Sequence, residues 1–370
     1  MTGEDEVAEP KDNTKSREKD LIKGNEAIAM GALDAGLKFY FGYPITPQND
    51  IPEYLSVHLP KAGGAFIQAE SEVASINMVL GAAATGKRAM TSSSSPGISL
   101  KQEGISYMAG SEIPGVVVNI SRSGPGLGGI HPSQGDYFQA TRGGGHGDYR
   151  MIVLAPNSVQ EMYDLTIDAF DLADKYRNPV MILGDSILGQ IKEPMIRHGK
   201  TNPPGEKTWA LTGADGRDQR VLKSLYLAEG ELTEHNWKLK EKYESMVADT
   251  RFEAYQVDDA ELIVSAFGSV SRIVKTAIDR LRDKGLKIGL FRPITLFPFP
   301  EARLKKLSER VKNFLVVELN TGQMVEDVKL SVLGDSVVEF YGNPPGSIPS
   351  PAELTEIVEK HYPKRAKAAG

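Results

Sequence analysis

Residues 115–120 read GVVVNI, a short apolar run that precedes a glycine-rich stretch. A run of this length and composition is typical of a buried strand in a parallel sheet. Similar runs alternate with longer segments of helical spacing, which indicates an α/β domain with helices on both faces of a mostly parallel sheet. The predicted strands are residues 39–41, 65–68, 88–91, 115–120, 151–154 and 179–183, and the predicted helices are 27–35, 71–84 and 158–175.

A second, smaller α/β pattern begins after a charged and proline-containing segment. We therefore predict a flexible tail at 1–20, an α/β domain at 21–191, a linker with one surface helix at 192–254 and a second α/β domain at 255–370. The last region is predicted to contain strands 262–266, 287–290 and 314–317, helices 270–284 and 301–311, and a proline-rich bend at 292–300.

The composition excludes several classes of function. The 370 residues include 43 basic and 49 acidic side chains, a formal net charge of −6, so global charge favours neither nucleic acid nor an anionic membrane as a partner. The chain has no cysteine, which excludes disulfides, a cysteine nucleophile and cysteine-ligated clusters. Since no apolar run approaches the ~20 residues of a membrane helix, and the charged N-terminus is unlike a secretory signal, we expect a cytoplasmic protein.

Two glycine motifs suggest nucleotide binding, and both lack the necessary context. The sequence GAAATGK at 81–87 has P-loop spacing, but Arg88 replaces the magnesium-binding Ser or Thr and the preceding helical pattern runs into the motif. Gly124, Gly126 and Gly129 match G-x-G-x-x-G after a strand, but Pro132 stands where the phosphate-binding helix should be under way. We interpret the first motif as a helix end and the second as exposed backbone beside an active site. A nicotinamide-linked dehydrogenase remains an alternative.

Thr46 and Glu72 are the first candidates for chemistry. Thr46 lies between two prolines after a strand, so its hydroxyl either faces a ligand at the carboxyl end of the sheet or caps the next helix, with Pro47 in the first turn. Glu72 begins a helix of small residues, where a carboxylate is either stabilised by the helix dipole or buried for proton transfer. Glu70 competes with Glu72 for either role.

Four blocks of the sequence together resemble the α subunit of the 2-oxoacid:ferredoxin oxidoreductases, and they occur in the family's order. The blocks are YPITP at 43–47, ESE at 70–72 with its small-residue helix, IPG at 113–115 leading to Asn119 and Arg122, and RPITLFP at 292–298. Residues 47–49, 91–97 and 143–149 most resemble the branched-chain branch, which uses 3-methyl-2-oxobutanoate (2-oxoisovalerate). The 2-oxoglutarate branch remains open.

The resemblance implies a fold, a reaction and partners. Residues 21–191 would be the pyrimidine-binding thiamine diphosphate module, and residues 255–370 would resemble the transketolase C-terminal domain. The family converts a 2-oxoacid and CoA to acyl-CoA and CO₂ with thiamine diphosphate and reduces ferredoxin through iron–sulfur clusters. Because this chain lacks the Gly-Asp-Gly of the diphosphate-binding module, that module and Mg²⁺ are expected on a β subunit that shares the cofactor. The clusters are expected on partner subunits, and the complex would also contain γ and ferredoxin-like subunits.

The resemblance also assigns roles to individual residues. Glu72 matches the glutamate that hydrogen-bonds N1′ of the aminopyrimidine, the group through which the cofactor is activated. Arg122 matches the arginine that receives the substrate carboxylate, a group that a guanidinium binds through both oxygens. Thr46 matches a threonine at the same end of the substrate. The residues expected near the cofactor are Glu72, Ser94, Ser95, Gly97 and Asn119.

Other positions have less definite roles. His131 and His146 lie among glycines and are either solvated or in contact with substrate, and His146 with Asp148 lacks the further ligands of a metal site, so no metal site is expected on this chain. A 2-oxoglutarate enzyme would need a second cation, for which Arg142 and His146 are available. The apolar run at 296–300 is expected to contact another subunit. The non-catalytic alternative is a scaffold subunit that kept the fold and lost the chemistry.

Overall fold

The computed structural model of the chain describes residues 20–199, 201 and 205–363. Helices and strands alternate along most of this length, which confirms the α/β class. The strands are β1 (Asp20–Lys23), β2 (Phe39–Gly42), β3 (Ala65–Gln68), β4 (Ala89–Ser93), β5 (Gly115–Ser121), β6 (Ile152–Leu154), β7 (Pro179–Asp185), β8 (Lys192–Met195), β9 (Phe252–Tyr255), β10 (Leu262–Ser265), β11 (Ile288–Pro293), β12 (Thr295–Phe297), β13 (Asn313–Glu318) and β14 (Val337–Gly342). The helices are α1 (Gly24–Asp34), α2 (Asp50–Lys61), α3 (Glu72–Ala84), α4 (Ser95–Gly110), α5 (Tyr137–Arg142), α6 (Val159–Tyr176), α7 (Ser186–Gln190), α8 (Glu231–Ser245), α9 (Gly268–Asp283), α10 (Glu301–Ser308), α11 (Met324–Ser331) and α12 (Pro351–Lys360).

Seven strands form the first sheet, in the order β12-β6-β7-β5-β4-β2-β3. All neighbours in it are parallel except β12, which pairs antiparallel with β6. Every residue of β5 is buried, as expected for an apolar strand inside a parallel sheet. Helices α3, α4 and α6 pack on this sheet. The mostly parallel sheet predicted from the apolar runs is therefore confirmed.

Five strands form the second sheet, in the order β14-β13-β10-β11-β9, with β9 as an antiparallel edge. Its central strand β10 is buried along its whole length and pairs in parallel with β11 and β13. Helices α9 and α12 pack together against an apolar cluster that includes Val264, Ile278 and Leu315. This cluster gives the C-terminal part of the chain a core of its own.

Five strands lie where no strand was predicted, namely β1, β8, β9, β12 and β14. The proline-rich segment predicted as a bend contains β12. Here the chain passes from the second sheet, which contains β11, to the edge of the first sheet, where β12 pairs with β6. The edge strands β9 and β14 were not predicted because exposed and half-buried residues alternate along them and interrupt any apolar run. Edge strands carry less hydrophobic signal than central ones, since at least one side of the strand faces solvent.

The predicted tail and the predicted linker both contribute residues to regular secondary structure. Residues 1–19 of the predicted tail lie outside the described residues, and Asp20 begins β1, which pairs antiparallel with β8. The segment 192–254 contains β8, α8 and the start of β9, and α8 buries Leu239 and Tyr243. The division of the chain at 191 and 254 stays a prediction.

Gln134 is a central contact between the two α/β parts. Its backbone N–H donates to the carbonyl of Leu319 at 3.0 Å, and its side-chain oxygen accepts from the Leu319 N–H at 3.0 Å. Its amide nitrogen donates to the carbonyl of Phe267 at 2.8 Å. These bonds attach the loop after β5 to the carboxyl end of the second sheet.

Arg292 makes a second, charged connection. Its side chain is 3% exposed, and its two terminal nitrogens donate to the Glu161 carboxylate at 2.9 and 2.7 Å. Its Nε donates to Glu253 at 2.8 Å. Because Glu161 lies at the start of α6 and Glu253 on β9, the guanidinium joins the two parts through a bidentate, charge-assisted contact.

Replacement of Arg292 is expected to destabilise the chain. Arg292→Gln leaves the half-buried Glu161 carboxylate without a cation and Glu253 with Lys275 alone, and it should lower the free energy of unfolding by about 2 kcal/mol, measured by urea denaturation. The control is Lys284→Met, which removes the exposed pair with Glu359 and should change stability by about 0.5 kcal/mol or less. Equal losses in the two variants would contradict the assigned role of Arg292.

Candidate active site

Glu72 begins α3 directly after β3. Ser71 is the N-cap residue, and its hydroxyl accepts from the Ala74 N–H at 3.1 Å, which fixes the first turn of the helix. Glu72 is 7% exposed, and among the described residues no donor forms a hydrogen bond with its carboxylate. The carboxylate is therefore free to accept a hydrogen bond from a ligand.

The first turn of α4 lies against this carboxylate because residue 97 is glycine. A Cβ at Gly97 would stand 2.8 Å from Oε1 and 3.0 Å from Cγ of Glu72. The same Cβ would also clash with the hydroxyl of Ser93 at the end of β4. Gly97 therefore lets α4 pack directly against Glu72 and Ser93 at the carboxyl ends of the strands, where parallel α/β sheets bind ligands.

Several buried hydroxyls at this edge of the sheet lack partners. The side-chain oxygens of Thr91, Ser93, Ser94 and Ser121 are buried and unbonded within the part of the chain that the structure describes. Ser94 is the N-cap residue of α4, yet its hydroxyl makes no capping bond. Unsatisfied buried polar atoms are uncommon in folded proteins, and a group of them at one strand edge marks a place where a polar ligand binds.

Arg122 follows β5 and is 8% exposed. One terminal nitrogen donates to the Thr46 carbonyl at 3.1 Å and the other to the Leu127 carbonyl at 3.3 Å, while Nε is buried without a partner. Within the described ranges no carboxylate forms an ion pair with this guanidinium. Since a buried cation needs a counter-charge, Arg122 is prepared to bind an anion from outside the chain.

The structure brings Thr46 and Arg122 together, as the sequence analysis expected. Thr46 is exposed, and its carbonyl holds the Arg122 guanidinium. The alternative reading of Thr46 as a helix cap is wrong, because α2 begins at Asp50 with Asn49 as its N-cap residue. The turn is fixed instead by a buried chain in which Tyr40 donates to Ser92 at 2.6 Å and Ser92 donates to Gln48.

Ser95 and Asn119 form a hydrogen-bonded network next to Arg122. The Ser95 hydroxyl accepts from the Arg122 N–H at 2.9 Å and donates to Asp136 at 2.6 Å. Asn119 accepts from the Ser95 N–H at 3.1 Å and donates to Asp136 at 2.8 Å. These polar atoms are already paired, so their direct contact with a cofactor stays a prediction. Asp136, which joins both residues, was missed because it lies in an irregular loop with no motif.

The two histidines and Arg142 lie elsewhere or are engaged. His131 and His146 are exposed, and Arg142 forms an ion pair with Asp327 at 2.6 Å. In the described part of the chain no group of three or more histidine or carboxylate side chains could hold a metal ion. The glycines at 124–129 lead to no helix before Tyr137, and residues 81–84 continue α3, so neither glycine motif has the nucleotide-binding context.

A separate cavity of about 1140 Å³ lies between α8 and the run at 296–300. Its floor is apolar and includes Phe252, Phe297 and Phe299, and basic side chains such as Lys240 and Lys306 stand around it. Thr46, Glu72 and Arg122 are not among its lining residues.

Lys101 was missed in the sequence analysis and lies directly behind Glu72. It is fully buried on α4, and its ammonium donates to the Glu72 carbonyl at 3.3 Å and to the Ser75 hydroxyl. A signal was present in the sequence, because Lys101 stands four residues after Gly97 and thus on the same helix face. Burial lowers the pKa of Lys101 to about 8, although the nearby charge of Glu72 raises it.

Comparisons with known proteins agree with this geometry. Residues 30–203 match the family model described as pyruvate flavodoxin/ferredoxin oxidoreductase, thiamine diphosphate-binding, and residues 260–354 match pyruvate:ferredoxin oxidoreductase core domain II. A solved 2-oxoglutarate:ferredoxin oxidoreductase from Magnetococcus marinus superposes with a TM-score of 0.85 at 28% identity and covers 98% of this chain and 68% of that one. A split-gene transketolase superposes with a TM-score of 0.56 at 12% identity over 93% and 99% of the two chains, which shows a common fold.

Two curated relatives have higher sequence identity to this chain than these two solved structures have. The ketoisovalerate oxidoreductase subunit VorB of Methanothermobacter marburgensis is 50% identical over 342 residues, which cover 92% of this chain and 96% of the relative. The 2-oxoglutarate synthase subunit KorA of Archaeoglobus fulgidus is 39% identical over 351 residues, 92% of this chain and 99% of the relative.

Fold and site together define a thiamine diphosphate-binding module followed by a second α/β domain. The two relatives match this chain over 96% and 99% of their own length, and this match identifies the family within the class. The chain belongs to the 2-oxoacid:ferredoxin oxidoreductase family, as its motifs indicated. No helix in the described ranges is long and apolar enough to cross a membrane.

Gly97→Ala tests the close approach of α3 and α4. Alanine normally stabilises a helix relative to glycine, but here its methyl group would press on Glu72, so the free energy of unfolding should fall by about 1–3 kcal/mol. The control is Gly81→Ala on α3, where a Cβ meets nothing within 4 Å and the change should stabilise by about 0.5–1 kcal/mol. Thermal denaturation of both variants measures the difference, and stabilisation by Gly97→Ala would refute the crowding at Glu72.

Proposed function

We propose that this chain is the α subunit of a thiamine-dependent oxidoreductase that converts 3-methyl-2-oxobutanoate and CoA to the acyl-CoA, CO₂ and reduced ferredoxin. The observation that carries the proposal is a nearly buried carboxylate and a nearly buried guanidinium at one edge of the sheet: among the described residues Glu72 has no hydrogen-bond donor for its carboxylate, and Arg122 has no counter-charge. The 50% identity to VorB supports the branched substrate.

Glu72 would hold the pyrimidine ring of the cofactor. Its carboxylate has no hydrogen-bond partner among the described residues and can therefore hydrogen-bond a ring nitrogen. The unbonded hydroxyls of Ser93 and Ser94 are available to polar groups on that ring. Thiamine diphosphate, when bound, supplies the nucleophilic carbon that attacks the 2-oxo group, and the protein supplies position and charge.

Arg122 and Thr46 would hold the substrate carboxylate. The carbonyls of Thr46 and Leu127 orient the guanidinium, and its remaining N–H groups are left for a bidentate contact with the substrate. The exposed side chain of Thr46 stands beside it. Because Arg122 is buried, water competes poorly for this contact.

The rest of the cofactor site and the electron path would belong to other subunits. The chain has no cysteine and no Gly-Asp-Gly, so we assign the diphosphate, Mg²⁺ and the iron–sulfur clusters to partner chains, including a β subunit and γ and ferredoxin-like subunits. The two electrons released by oxidative decarboxylation would pass singly through the clusters to ferredoxin. This hetero-oligomer would act in anaerobic metabolism in the cytoplasm, where CoA and ferredoxin are found.

A 2-oxoglutarate enzyme is the second candidate because KorA relatives and the solved Magnetococcus marinus enzyme share the fold. Such an enzyme needs a cation for the distal carboxylate. Arg142 is paired with Asp327 and stacks on Phe138, which leaves it poorly placed for this role. This engagement favours the branched, apolar substrate.

Substrate preference tests the proposal directly. The anaerobically purified complex should reduce a low-potential viologen dye in the presence of CoA, with higher kcat/KM for 3-methyl-2-oxobutanoate than for 2-oxoglutarate. Preference for 2-oxoglutarate would retain the mechanism and overturn the substrate. A purified complex that contains no thiamine would overturn the proposed function.

Glu72→Gln should lower kcat by at least about 100-fold while the subunits still assemble, because the amide cannot exchange a proton with the cofactor. Dye reduction and size-exclusion chromatography measure turnover and assembly. The control is Glu70→Gln, an exposed neighbour two residues away, which should retain turnover. Full turnover in Glu72→Gln would identify the chain as a scaffold subunit.

A further inference from the structure

Lys101 occupies a position where a lysine is unusual. It lies on α4 between the sheet and α3, with its side chain fully buried. Its ammonium donates to the Ser75 hydroxyl and, at 3.3 Å, to the carbonyl of Glu72, while Ser75 donates to the same carbonyl at 2.8 Å. Lysine is almost never fully buried unless it is paired with an opposite charge, so its neighbours decide why it is tolerated.

The charged residues that face Lys101 can be traced element by element. On α3 the single charged residue is Glu72. Strand β5 has none, and β7 ends in Asp185, whose carboxylate is bonded to the Ser269 hydroxyl and to two backbone N–H groups. On α4 itself Glu103 accepts from the Tyr107 hydroxyl at 2.7 Å. On these four elements, Glu72 is therefore the carboxylate left to balance Lys101.

The two groups influence each other. Burial lowers the pKa of Lys101 to about 8, and the charge of Glu72 acts in the opposite direction and keeps the ammonium protonated. Attraction between two opposite charges is mutual, so the Lys101 ammonium also attracts the Glu72 carboxylate. The interaction is effective because protein rather than water surrounds both groups.

We propose that Lys101 is a positioning residue for the active site: its buried ammonium holds the first turn of α3 and supplies the positive charge that balances the Glu72 carboxylate. The inference rests on the proposed function, in which Glu72 contacts the cofactor. Lys101 bonds the Glu72 carbonyl and the Ser75 hydroxyl in the first turn of α3, so it acts on the site through Glu72 and Ser75.

The proposal predicts a pH dependence with a definite sign. Below pH 8 Lys101 is protonated and balances Glu72, whereas above this value it loses its proton and the balance is lost. The kcat of the complex should therefore decline as the pH rises through about 8. The KM for the 2-oxoacid should change little, because Arg122 and Thr46 bind the substrate independently of Lys101.

The first test uses the full chain without cofactor. Lysine labelled with ¹³C at Cε is incorporated, the Lys101 signal is assigned by its absence in Lys101→Met, and its titration is followed by NMR. In the wild-type chain the midpoint should lie near 8, and in Glu72→Gln it should fall by roughly one pH unit because the compensating charge is gone. An unchanged midpoint in Glu72→Gln would overturn the proposal.

The second test uses Lys101→Met in the assembled complex, where an apolar side chain of similar length fills the buried position. We expect kcat below pH 8 to fall about tenfold, the decline near pH 8 to disappear and the KM to be retained. Lys284→Met, an exposed lysine, should keep the wild-type profile. A wild-type pH profile in Lys101→Met would overturn the proposal.

The two tests distinguish this inference from the proposed function. If the proposed function fails, the complex lacks thiamine or Glu72→Gln retains turnover, yet the NMR titration still reports the Lys101–Glu72 coupling. If Lys101→Met fails to fold, the titration of Lys101 in the wild-type chain and in Glu72→Gln decides the matter, with signals assigned by Lys101→Arg instead.

Discussion

The close approach of α3 and α4 is the constraint on which the active site depends. Two glycines on one face of α4 permit it, because a Cβ at Gly97 would meet Glu72 and a Cβ at Gly104 would stand 2.5 Å from Ile76. This packing buries Glu72 at the carboxyl ends of β3 and β4 and places Lys101 behind it. Without both glycines the helices would separate, and the carboxylate would face water, where its interaction with a lysine or a cofactor is weaker.

The site contains polar groups whose hydrogen-bonding capacity the chain alone does not satisfy. Glu72, Arg122 and the hydroxyls of Thr91, Ser93 and Ser94 are buried or nearly so, and each retains unpaired hydrogen-bonding capacity. Elsewhere the molecule pairs its buried charges, as Arg292 and Asp185 show. Local departures from this rule are expected where a ligand completes the network, and they reduce the stability of the free chain. A cofactor shared with another subunit would therefore also stabilise this one.

Sequence reasoning predicted the central strands because apolar runs are local signals. The motif blocks singled out Thr46, Glu72 and Arg122, whose roles stay predictions. It did not predict β12, since pairing with β6 depends on a contact between distant parts of the chain. Lys101 was missed for a related reason. Its spacing from Gly97 places it on one face of α4 with that glycine, but spacing alone does not show that this face is buried, which depends on the packing of α3 on α4.

The second domain contributes to the chemistry although it carries none of the proposed catalytic groups. Gln134 is bonded to Leu319 and Phe267, which fixes the loop that follows Arg122. Two residues later Asp136 binds Ser95 and Asn119, and the Ser95 hydroxyl accepts from the Arg122 N–H. The position of Arg122 is thus linked to the second sheet through these hydrogen bonds and the short chain segment from Gln134 to Asp136. A displacement of that sheet would move the guanidinium relative to Glu72, so geometry at the substrate carboxylate depends on the contact between the two domains.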